Sequence, residues 1–231
     1  MSSGLALRIA AAAAVLVTAI TVVLFLPDNL ILQFDQYVAS YNHYQRLSEL
    51  SAIAQVVDDL GRRLVILPVM LIVLGLASLR MRSWWPVFLG GAAFFVASVI
   101  VGFLKFLTQR TSPRLGPGDF GLPELVDTIG LYPSGHAANA AVAWGAMVFF
   151  SSIAWGWSRK VTLYATLGAI LVVVLVGVTS AYLQYHWVSD LVSGALVGVA
   201  ALFLAIAWYE RRAPAAFATR APVERLDLST R

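Results

Sequence analysis

The sequence predicts an all-α polytopic membrane protein: a six-helix transmembrane bundle with a re-entrant or interfacial amphipathic helix on its outer face. Three observations lead there. Of 231 residues, 60% are hydrophobic and only 12% charged, against roughly 25% charged in a soluble domain. The apolar residues gather into six runs, each close to the roughly 20 residues that a helix needs to cross a bilayer. The basic residues stand at the ends of those runs and form no continuous stripe, so the formal charge of +4 does not point to a nucleic-acid partner. The absence of cysteine removes disulfides and thiolate metal ligands from consideration.

The first run, Leu5–Leu26, is long for the apolar part of a secretory signal. Leu-Pro-Asp-Asn after it offers no small-residue cleavage site, so it reads as a retained anchor. Between the first and second runs, Ile31, Phe34, Val38, Tyr41, Tyr44 and Leu47 recur at helical spacing. That pattern predicts an amphipathic helix lying in the interface, or one packing on the bundle. Leu64–Leu79 and Trp85–Leu107 are the next two spans. Residues 108–132 contain "TSPRLGPGDFGLPE" and read as an irregular loop. Ala137–Trp157, Val161–Val178 and Val188–Trp208 complete the six. Residues 209–231 form a charged tail, expected to be poorly ordered. No internal repeat divides the chain, so residues 1–208 are expected to form one domain.

Orientation follows from Lys and Arg near the span ends. With six alternating spans, Arg8, Arg80, Arg82, Arg159, Lys160, Arg211 and Arg212 share one side, flanked by Trp84, Trp85, Trp155, Trp157 and Trp208. That side is expected to be cytoplasmic, which places both termini in the cytoplasm and the protein in the plasma membrane. Arg62 and Arg63 fall on the opposite face and run against the rule.

The same alternation gathers three polar stretches on the outer face: "KFLTQRTSPR", "YPSGHAANA" and "TSAYLQYHWVSD". In the second, Ser134 is a good N-cap and Gly135 lets a ligand approach the backbone. The positive end of the following helix makes an anion site, and His136 stands on the same turn, able to donate a proton. In the third, His186 and Asp190 are four residues apart and share a helix face. An aspartate deep in a bilayer costs about 2.5–3.5 kcal/mol on insertion scales, so the pair needs a reason. It is either a mutually satisfying buried pair or a histidine oriented by a carboxylate for nucleophilic attack. Two histidines and an aspartate also admit zinc, although neither pattern is a metal motif.

Taken together, "PSGH" at 133–136 and the H-x-x-x-D of 186–190 resemble the type 2 phosphatidic acid phosphatase family, over roughly residues 60–208. The resemblance implies an integral-membrane lipid phosphatase needing no metal or cofactor, with a membrane lipid phosphate or diphosphate as substrate. It further implies that His186 attacks phosphorus to form a phosphohistidine, that Asp190 orients it, and that His136 protonates the leaving oxygen. Lys105, Ser134 and Gly135 would hold the phosphoryl group. The chain departs from the family at two arginines. The arginine expected after Lys105 and six intervening residues is Ser112, and the one expected before His186 is Ser180. Losing one such donor costs about 2.7–4 kcal/mol of transition-state stabilisation. The sequence therefore predicts that Arg110 replaces them, with Arg114 as the lesser candidate. Transfer of a phosphoryl or headgroup to an acceptor, and a non-catalytic lipid-binding protein with a decayed site, are the competing functions. The oligomeric state is not legible.

Overall fold

The computed structural model describes residues 2–45, 48–114 and 130–218. Every regular element among them is helical: α1 (Ser3–Leu24), α2 (Leu30–Gln45), α3 (Ser48–Asp58), a 3-10 turn (Asp59–Gly61), α4 (Arg63–Met81), α5 (Trp85–Thr108), α6 (Gly135–Ala154), α7 (Arg159–Tyr182) and α8 (Val188–Ala218). Six of these are long and apolar enough to cross a membrane, namely α1, α4, α5, α6, α7 and α8. They fall on the six runs expected from the sequence. The Pro- and Gly-rich residues 115–129 and the tail residues 219–231 lie outside the described residues. The last helix continues ten residues past Trp208 to Ala218, into what the sequence assigns to the tail.

At the centre stands α6, with 61% of its span buried, whereas α7 buries only 6%. Composition explains the difference. Ala137, Ala138, Ala140, Ala141, Ala143 and Ala146 keep α6 thin and are all buried, and small residues let membrane helices approach closely. On α7, Leu163, Leu167, Leu171 and Val174 are more than half exposed, as a lipid-facing helix requires. Two glycines one turn apart on α8 complete the close packing. A Cβ on Gly194 would lie 2.2 Å from the Ser134 carbonyl oxygen, and one on Gly198 would lie 2.5 Å from that of Ala138. The start of α6 therefore rests directly on α8, bringing two distant sequence segments into contact.

One end of the bundle is closed by aromatic packing. The Trp85 and Trp208 rings are 4.6 Å apart, and Tyr209 meets Phe150 edge-on at 5.4 Å. The Arg212 guanidinium lies over Trp208 at 5.7 Å. At the other end Tyr132 is fully buried, with its hydroxyl 2.7 Å from Thr21 of α1 and donating to Ser193 of α8 at 3.0 Å. Burial pushes this phenol above its ordinary range, so it remains a protonated tie between three segments.

The expected amphipathic segment forms two helices, α2 and α3. Its apolar stripe is divided: Ile31 packs on the buried Leu24, Leu32 and Tyr132 and Val38 is half-buried, whereas other members point outward. Phe34 and Tyr41 are more than half exposed, while Leu32 and Asp35 are buried against the bundle. An interfacial helix has this arrangement when its apolar face meets lipid. Leu47 lies outside the described residues, and nothing is described of the Tyr44 side chain.

Candidate active site

The three polar stretches do converge. Ser134 caps α6 in extended conformation and accepts from the Ala137 N–H, while its own N–H donates to the Asp190 carbonyl at 2.9 Å. This clamps the His136 turn to the helix carrying Asp190. The two histidine rings are 6.3 Å apart. His186 is almost fully buried, and a third of the His136 side chain remains exposed. A Cβ on Gly135 would meet nothing closer than Val101 at 3.9 Å, so the space beside this glycine is open to a ligand.

Each histidine has its own carboxylate. Nδ1 of His186 lies 3.5 Å from Oδ2 of Asp190, longer than a good hydrogen bond, and makes no other one. Catalytic hydrogen bonds are often long before substrate binds. Oδ2 of Asp190 also accepts from the Trp187 N–H at 3.1 Å, which fixes the carboxylate plane. Nε2 of His136 lies 3.6 Å from Oδ2 of Asp58. The other oxygen of Asp58 accepts from Ser180, at the position where the family resemblance leads one to expect arginine. A carboxylate therefore occupies ground that the resemblance assigns to a cation.

The fate of Arg110 is the largest departure from expectation. It is fully buried, and both ends of its guanidinium are engaged. One nitrogen donates to Asp190 Oδ1 at 2.6 Å and Ser189 Oγ at 2.7 Å, and another to Asp35 Oδ2 at 2.7 Å. Arg110 thus serves the buried carboxylates Asp190 and Asp35. The physical reason is charge. Asp35 and Asp190 are both buried, and buried carboxylates need a cation more than solvated phosphate oxygens do. Arg114 is occupied elsewhere, donating to the Leu183 carbonyl at 2.5 and 3.1 Å and covering the Tyr185 ring at 4.5 Å. Ser112 and Ser180 are buried.

Positive charge near the histidines comes from another quarter. Lys105 is half-buried, in coulombic range of Asp190 and Arg63, and Arg62 is in range of His136. The segment before these arginines packs on the site. A Cβ on Gly61 would come within 2.7 Å of the His136 carbonyl, whose helix also sends Asn139 to the Gly61 carbonyl. Arg62, whose exposed side chain pairs with Asp59 at 3.6 Å, and Arg63 thus follow directly on a turn packed against the His136 helix.

A sequence profile of the PAP2 superfamily matches residues 85–214, more than half of the chain. The chain belongs to the PAP2 superfamily. It is a membrane-embedded PAP2-type lipid phosphatase. It is 27% identical over 150 residues to phosphatidylglycerophosphatase B of Bacillus subtilis (strain 168), covering 64% of this chain and 70% of that relative. The fold is similar to the crystal structure of a transmembrane PAP2 type phosphatidylglycerolphosphate phosphatase from Bacillus subtilis. The TM-score is 0.77 and the identity 20%, over 88% of this chain and 96% of that one. At that identity the likeness is one of fold.

Within this PAP2 chain, sequence reasoning missed Asp35, Asp58 and Ser189. Asp35 carried a signal. It lies four residues after Ile31 and three before Val38, on the very stripe read as apolar. An aspartate on such a stripe is buried only with a partner. Asp58 offered none, because its partner Ser180 lies 122 positions away.

Proposed function

We propose that this PAP2 protein dephosphorylates a lipid phosphate monoester of the phosphatidylglycerophosphate type, on the extracytoplasmic face, through a phosphohistidine on His186. The observation that carries this reading is the pair of neighbouring histidines, each beside its own carboxylate, with open space beside Gly135 at the start of the helix that carries His136. With Nδ1 of His186 turned to Asp190, Nε2 is the free nitrogen. It attacks phosphorus, and the bond from phosphorus to the ester oxygen breaks as His136 gives its proton to that oxygen. His136 then takes a proton from water, whose oxygen attacks phosphorus, breaks the N–P bond and releases phosphate. Asp58 holds His136 through the exchange. Lys105, Arg62 and Arg63, with Ser134 and Gly135 at the positive end of α6, stabilise the charge on the phosphoryl oxygens.

Lipid as substrate is supported by an apolar cavity of about 460 Å³ lined by Val38, Ala137, Val174, Ala181, Val188 and Leu191. Two of these, Ala137 and Val188, stand beside His136 and near His186. An acyl chain seated there would hold its headgroup at the histidines.

The purified protein in detergent should release phosphate from phosphatidylglycerophosphate and be unaffected by EDTA, while vanadate inhibits. Loss of activity in EDTA, restored by zinc or magnesium, would make the histidines metal ligands. Transfer of the phosphoryl group to an added alcohol without phosphate release would favour a transferase.

The orientation rests on the arginines at the aromatic end of the bundle. Cysteines introduced singly at Gly118 and Arg220 should differ towards a membrane-impermeant thiol reagent on intact cells, with position 118 labelled. Labelling of position 220 alone would place the site on the cytoplasmic side.

A further inference from the structure

We propose that Asp35, on α2, is a positioning residue for His186, acting through Arg110 and Asp190. The inference rests on the phosphohistidine reading. Asp35 lies outside the span matched to the superfamily, on a helix where Phe34, Tyr37 and Tyr41 are more than half exposed. Its carboxylate is nonetheless buried and makes three polar contacts. Oδ1 accepts from the Ser189 N–H at 3.0 Å, and Oδ2 accepts from Ser189 Oγ at 2.5 Å and from Arg110 at 2.7 Å. Ser189 Oγ also accepts from Arg110, closing a ring of Asp35, Ser189 and Arg110. Arg110 then reaches Asp190 at 2.6 Å, with Trp187 beneath its guanidinium at 5.3 Å.

Neutralising Arg110 needs only one carboxylate, yet this cluster holds two. Asp35 and Asp190 with Arg110 sum to one negative charge. Besides Lys105, His186 at 3.5 Å from Asp190 can balance it, because the ring becomes positive when Nε2 bonds to phosphorus with a proton retained on Nδ1. The excess negative charge thus favours the state that forms during attack, not the resting enzyme. Asp35 also keeps Arg110 from drawing Asp190 wholly to itself. With one oxygen on Arg110, Asp190 leaves the other turned to His186, much as outer partners orient metal-bound histidines.

The test measures kcat, KM and the rate of phosphoenzyme formation for the full-length protein in detergent with phosphatidylglycerophosphate, per folded molecule in the monodisperse peak. Asp35→Asn should lower kcat roughly 10–100-fold, the range met when an outer orienting partner is lost. KM should stay within about twofold, because the lost interaction belongs to the transition state, and phosphoenzyme should form correspondingly slowly. Ser189→Ala removes a bridge without removing a charge, and should lower kcat about 3–10-fold at unchanged KM. It serves as the decisive variant if Asp35→Asn does not fold. An active wild-type protein whose folded variants keep wild-type kcat would overturn the inference alone. A wild-type protein that releases no phosphate from lipid phosphates would overturn the phosphatase reading beneath it.

Discussion

His186→Ala should reduce phosphate release by at least about 10⁴-fold and leave the bundle folded. Removing a nucleophile that acts as one unit with its partners costs nearly everything those partners contribute together. The fold has little stake in this side chain, since Nδ1 makes no hydrogen bond within its geometric limits and the nearest partner is 3.5 Å away. Helix packing at this end depends instead on the Ser134 N–H to Asp190 carbonyl bond and on Gly194, which the substitution leaves intact. His136→Ala should also be strongly impaired, but for want of a proton. With a lipid diphosphate, whose leaving group needs less protonation, it should retain more activity than His186→Ala. Rapid acid quench with labelled substrate should trap phosphoenzyme in the wild type and none in His186→Ala. Trapping it there would move the nucleophile to another residue.

The second large effect is on stability. Arg110→Ala should destabilise the protein by about 3–5 kcal/mol, the cost of breaking a buried ion pair by deleting one member. Here the deletion strands two carboxylates, Asp35 at 1% and Asp190 at 0% exposure, both of which hydrogen-bond to the same guanidinium. Arg110→Lys should fall between, because one ammonium is a point charge and cannot span both acids and Ser189 as a planar fork does. Thermal unfolding in detergent separates this from the phosphate-gripping role expected from the sequence. An unchanged melting temperature with a raised KM would return Arg110 to the phosphate and refute the buried placement.

The two roles of arginine show where reading along the chain stops. The sequence locates Arg110 beside Ser112, and the motif spacing makes it the natural substitute for a missing phosphate ligand. What the spacing does not convey is that α2, some 75 residues earlier, brings Asp35 to the same point. A lone charge in a loop takes whichever partner is most desolvated, and desolvation is a property of the packed bundle. Asp58 teaches the same lesson from the other side. Its carboxylate reaches Ser180 and His136 because the 3-10 turn ending at Gly61 packs on the start of α6. The serine that looked like a lost arginine is an acceptor's partner. In α2 the stripe of Ile31, Phe34 and Val38 was legible as a helix, but not which face met lipid.

The spans, their approximate limits, the caps at Ser134 and the pairing of His186 with Asp190 are local properties. They follow from apolar run length and from side chains that satisfy nearby backbone donors; His186 itself lies in the turn before α8 (Val188–Ala218), so it meets Asp190 across the start of that helix and not on a shared helix face. The sequence by itself therefore determined a six-span bundle and singled out His136, His186 and Asp190 as candidate site residues. The tertiary structure alone decided the partners around that site: Arg110 bound to both Asp190 and Asp35, Asp58 beside His136, and Arg62 in range of His136. Electrostatic partnership depends on distance through space and on burial, and neither quantity exists until helices far apart in the chain have packed.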